Sequence, residues 1–109
     1  MAGSALAAGV LVVSATLSLG LAAVGGAAVT AQRAAGAADA AALAAADAAT
    51  GAVAVRDEPC VVAARVAEAS GTALTGCSLE GDVATVSVQA AYAGLAAVSR
   101  ARAGPPEEP

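Results

Sequence analysis

The reactive side chains of this chain are few: two cysteines, nine acids and five arginines, with no histidine and no lysine. Cys60 and Cys77 are the pair whose spacing does chemistry. Bonded, they close a loop of about 18 residues and stabilise the fold by about 3 kcal/mol, mainly by restricting the unfolded chain. Unbonded, they are two small hydrophobes. No Cys-x-x-Cys pattern is present, which argues against thiol redox catalysis and zinc. Asp57-Glu58 and the pair Glu80 and Asp82 form a hard-cation site if the fold brings them together. Their plainer reading is a helix cap and a solvated turn. Asp39 and Arg33 lie six apart, a poor spacing for pairing within one helix. Asp39 is therefore a candidate partner for Arg33 of a neighbouring subunit, or else part of a solvated face.

Without His, Lys or a nucleophile elbow, the expected function is non-enzymatic. No catalytic residue, cofactor, metal or small-molecule substrate is assigned. The net charge of −4 argues against nucleic acid, whose phosphates demand a basic footprint.

The element that must position these groups is the uncharged stretch from Met1 to Gln32. Leu and Val recur from Leu6 to Val29 among Ala, Gly, Ser and Thr, over more than the ~20 helical residues that cross a bilayer core. The expectation is a membrane-spanning helix of marginal hydrophobicity, because Ala is nearly neutral in lipid. Small residues recur four apart, as in Ala5/Gly9, Thr16/Gly20 and Ala22/Gly26, a spacing that lets another helix approach closely. Gly9, Gly20, Gly26 and Gly36, with Arg33 and Asp39, are the candidate helix-packing residues. Gly25-Gly26 is a candidate kink. Release of a small soluble protein by signal peptidase near Ala31 is the competing account, since Val29-Thr30-Ala31 suits that enzyme. Against it stand the missing basic n-region and a helical pattern that continues across the cut.

From Thr30 to Thr50 an alanine-rich helix is expected to leave the bilayer and continue, stopped at Gly51. It buries too little alone and should pack on a partner or on the C-terminal residues. Asp39, Leu43 and Asp47 lie near one face. Val53 to Glu58 reads as a connector. Pro59 opens a short helix with Val62, Val66 and Ala69 as its apolar stripe, Arg65 and Glu68 as a surface pair, and Ser70-Gly71 as its end. The period then changes to two. Thr72 to Glu80 is an expected strand with Ala73, Thr75, Cys77 and Leu79 on one face. Gly81 permits a tight turn into Val83 to Gln89, with Ala84, Val86 and Val88 on one face. Ala90 to Ala97 is ambiguous, and Val98 to Ala103 is a candidate third strand. The two cysteines favour an oxidising, extracytoplasmic location for the C-terminal part. Arg33 taken alone favours the reverse orientation.

The run Gly3-Ser4-Ala5, the apolar helix, Gln32-Arg33-Ala34-Ala35-Gly36-Ala37-Ala38-Asp39-Ala40-Ala41-Ala42-Leu43-Ala44, a Cys-containing hairpin and Ser99-Arg100-Ala101-Arg102-Ala103-Gly104-Pro105 carry a resemblance. In this order the chain resembles the actinobacterial TadE-like proteins, encoded beside a secretion ATPase and a helicase-type gene, within the wider set of Flp/Tad pilus proteins. The resemblance implies a minor pilin-like or pseudopilin-like subunit of a Tad-type pilus or secretion apparatus. Its partners would be membrane lipid and other Tad-type membrane subunits. The resembled pilins are cut after a Gly and carry Glu at the fifth mature residue. Counting from Ser4, that position is Ala8, and no Glu precedes Glu58. The expected fold is α+β: a long N-terminal transmembrane, pilin-like helix continuing outside the membrane, then a short helix and a small antiparallel β-sheet. The expected divisions are 1–50 for the helix, 51–104 for a small extracytoplasmic αβ head and 105–109 for a disordered tail, in a single-pass cell-membrane protein.

Overall fold

A computed structural model describes residues 2–53 and 56–106, so part of the expected connector and the last residues of the expected tail lie outside the described residues. Alanine loses no side-chain freedom in a helix and no proline interrupts the first half of the chain. One unbroken helix results, α1, running Ala2–Thr50 and passing through Gly25-Gly26. Gly51 follows at φ +74° and stops it. Then come α2 (Pro59–Ala69), β1 (Ala73–Glu80), β2 (Val83–Tyr92) and β3 (Leu95–Ala103). The strands form an antiparallel sheet in the order β1-β2-β3. The α+β expectation of a long helix, a short helix and a small antiparallel sheet matches this arrangement. The molecule is elongated, 75 × 32 × 19 Å.

Only the C-terminal half of α1 is covered. Its buried residues are Thr30, Ala34, Ala37, Ala38, Ala41, Ala42, Ala45 and Ala46, a stripe recurring at three and four. The stripe meets Ala84, Val86, Val88 and Ala90 of the central strand and Ala63 and Ala67 of α2 in one hydrophobic cluster. Val86 and Val88 are the largest fully buried side chains among the described residues. A buried methyl contributes about 0.8 kcal/mol and a valine about 1.5–3, so this core is thin for its length. What alanine supplies instead is close approach of backbones.

That preference for close approach corrects the expected stripe of α2. Ala63 and Ala67 are its buried face, Val62 and Val66 sit half-buried at the flank, and Ala69 is exposed. Arg65 pairs with Asp57 at 2.6 Å, not with Glu68, because the lead-in to α2 brings Asp57 back over the helix. Glu58 is the N-cap with an extended backbone and no side-chain cap bond, and Pro59 occupies the first turn. The other end of α2 is closed by Thr72, whose hydroxyl and amide both donate to the Ala67 carbonyl.

The expected face of β1 is also corrected. The pairing with β2 shifts between Leu74 and Gly76, leaving Thr75 as an extra residue. Such a bulge reverses the alternation on one side of it. Leu74 and Cys77 both point to the core, opposite Val88 and Val86, while Ala73 and Thr75 are exposed. In β2 the expected inward set Ala84, Val86 and Val88 holds. The ambiguous stretch resolves as a tight hairpin. β2 continues to Tyr92, which pairs directly with Leu95 across Ala93-Gly94. Both turn residues have positive φ, 49° and 80°, the geometry of a type I′ turn that suits the twist of paired strands.

Candidate membrane-anchoring rod and its latch to the head

The N-terminal half of α1 carries Leu and Val that the described residues leave uncovered. Leu6, Leu11, Leu17, Leu19 and Leu21 are all exposed, Leu21 at 74%. An apolar stretch of α1 is 0% buried among the described residues. The helix is long and apolar enough to cross a membrane. In water, so large an unbroken apolar surface is a liability.

The rod and the head are joined by one aromatic residue as well as by the continuous helix. Tyr92 is the sole aromatic side chain of the chain. Its hydroxyl donates to the carbonyl of Ala23 at 2.9 Å, across a sequence separation of 69. That carbonyl has a second lone pair free beyond its helical bond, so the acceptance costs the helix nothing. The ring lies against Gly26, where a Cβ would overlap Oη, Cζ and Cε2 of Tyr92. One turn on, Thr30 is buried and its hydroxyl donates back to the Gly26 carbonyl at 3.0 Å. Ala23, Gly26 and Thr30 thus form one face of α1 shaped to receive the end of β2.

No family model, curated protein or solved structure matches this chain.

Cys60 on α2 and Cys77 on β1 are bonded, with a Cα–Cα distance of 5.9 Å. The bond ties the short helix to the edge strand at the flank of α1, where the alanine core alone gives little. Gly9, Gly20 and Gly36 have nothing within 4 Å that an added Cβ would meet. Gly26, expected to face another helix, is covered by Tyr92 of the same chain. Arg33 and Asp39 are both exposed, and among the described residues the one ion pair is Arg65 with Asp57. Asp39 instead lines a shallow hollow with Leu43, Arg102, Ala103 and Gly104. Asp57, expected as a possible cation ligand, is engaged by Arg65, and no group of three metal-ligating side chains is found among the described residues.

Sequence reasoning missed Tyr92. The signal available was a lone aromatic two residues before a glycine, at the end of an alternating run. Read as a hairpin cue, Ala93-Gly94 would have placed Tyr92 on the inward face with Val86 and Val88.

Proposed function

We propose that this protein is a non-enzymatic, membrane-anchored structural subunit of the minor pilin or pseudopilin type, acting in a Tad-type pilus or secretion apparatus. The N-terminal half of α1 lies in the membrane and the disulfide-stapled αβ head stands on the extracytoplasmic side. The single observation that carries this reading is the division of one 49-residue helix into a bare apolar half and a half buried under the head. A helix shared in this way transmits position from lipid to head without a flexible linker, as an assembly subunit requires. The open backbone at Gly9 and Gly20 supports close packing by helices of neighbouring subunits. The bond between Cys60 and Cys77 supports an oxidising compartment for the head. Release by cleavage after Ala31 has less support, because it would strip Ala23, Gly26 and Thr30 from beneath Tyr92.

The test is photo-crosslinking in membranes of the source organism, with the probe at Gly9 or Gly20, combined with deletion of the gene. The expected result is crosslinks to other pilus or secretion subunits and a loss of surface filaments or of secretion in the deletion strain. Crosslinks to lipid alone, with filaments and secretion intact in the deletion strain, overturn the proposal.

A further inference from the structure

We propose that the tip of the β2–β3 hairpin, Tyr92 to Leu95, rests on the interfacial layer of the bilayer that receives α1, and so sets the point at which the helix leaves the hydrocarbon at Ala22–Ala23. This rests on the anchoring reading above and adds a second lipid contact to it.

Hydropathy alone puts the boundary near Thr30, because the first strongly polar side chains after the apolar run are Gln32 and Arg33. The fold forbids that placement. The Tyr92 hydroxyl bonds the Ala23 carbonyl, so a boundary at Thr30 would sink that contact about 10 Å into hydrocarbon, at 1.5 Å of helix per residue, and carry the adjoining Ala93-Gly94 turn into the apolar layer with it. Backbone groups of a lipid-facing turn have no partner there, at several kcal/mol each. Raising the boundary to Ala22–Ala23 removes the conflict. The described helix from Ala2 to Ala22, about 31 Å, is then long enough to span a hydrocarbon core of about 30 Å.

The chemistry of the tip fits this level. Tyrosine favours the headgroup region, where its ring is apolar and its hydroxyl polar. Leu95 pairs with Tyr92 and shares its face of the sheet, yet it is 73% exposed, the most of any large hydrophobic in the described head. A leucine left this exposed by the described residues, placed beside the emerging apolar helix, is covered by lipid when the helix is inserted. No charged residue lies between Asp82 and Arg100, so nothing on the tip opposes this contact. The opposite end of the sheet, the Gly81-Asp82 turn, stands about 30 Å higher, at 3.3 Å per strand residue. Two contacts, the rod and the tip, hold the head at a fixed tilt on the membrane surface where one helix alone would let it swing.

The chain contains no tryptophan, so single introduced tryptophans report depth without background. Full-length, disulfide-bonded protein carrying Leu11→Trp, Leu95→Trp, Val29→Trp or Leu79→Trp is reconstituted into phosphatidylcholine vesicles containing lipids brominated at shallow or deep acyl positions. All four side chains are exposed, so the substitutions leave the core intact. The expected pattern is deep quenching for Leu11→Trp, shallow quenching for Leu95→Trp at least two-fold above that of Leu79→Trp, and no deep quenching for Val29→Trp. If Leu11→Trp is quenched while Leu95→Trp matches Leu79→Trp, the tip contact is overturned and the anchor stands. Deep quenching of Val29→Trp overturns the exit at Ala22–Ala23. A blue-shifted but unquenched Leu95→Trp means that a second protein copy covers the tip, and also overturns the proposal. Absence of quenching at Leu11→Trp removes the anchor itself.

Discussion

The hydroxyl of Tyr92 donates a hydrogen bond to the carbonyl of Ala23, joining the end of the central strand to the helix just below the point where the head begins to cover it. The ring fits because residue 26 has no side chain. Tyr92→Phe keeps the ring and loses the bond, and is expected to lower stability by about 1 kcal/mol or less, as for an exposed neutral hydrogen bond. Gly26→Leu displaces the ring altogether, whereas Gly20→Leu meets open space. Hydrogen exchange at the Tyr92–Leu95 amides should accelerate in Gly26→Leu and stay unchanged in Gly20→Leu. Equal exchange in both variants would remove the latch.

The disulfide has more to do here than in a domain with a large core. Its loop spans a sequence separation of 17, for which loss of the bond is expected to cost about 3 kcal/mol. The measurement is the urea midpoint of the detergent-solubilised protein, oxidised against reduced, with Cys60→Ser/Cys77→Ser as the control for the reductant. A difference in unfolding free energy below about 1 kcal/mol would mean that the alanine seam is sufficient alone.

The seam itself is sensitive in the direction of larger side chains. Ala41 and Ala63 are both fully buried where α1 and α2 pack into the common cluster. Ala41→Leu or Ala63→Leu forces the elements apart and is expected to destabilise by about 1–3 kcal/mol, despite added apolar surface. Ala40→Leu, on the exposed side of the same helix, should leave the unfolding free energy unchanged to within about 0.5 kcal/mol. If all three behave alike, close approach is not what the alanines provide.

The hairpin turn contains a built-in inefficiency. Ala93 holds φ 49°, a left-handed conformation that costs an ordinary residue about 1–2 kcal/mol. Asn tolerates that region better, and Asn-Gly is the favoured pair for this turn. Ala93→Asn is therefore expected to raise the melting temperature, while Ala93→Val lowers it. A lower melting temperature for Ala93→Asn would contradict the assigned turn geometry.

Much of this architecture was legible in the amino-acid order because it is set locally. Charge-free apolar length marks the rod, the absence of proline lets the helix run on, and Pro59 and Gly81 punctuate the head at the expected places. The alternation in Val83–Gln89 names the inward valines without any knowledge of what they face. Tertiary structure decided the rest. Where nearly every position is alanine, composition does not say which methyl groups point inward, so the faces of α1 and α2 emerge only when a sheet is laid against them. The bulge at Thr75, the partner of Arg65 and the contact of Tyr92 with Ala23 follow from how strands lie along a helix. Those contacts join residues distant in sequence, and their energies depend on distances that no local pattern records.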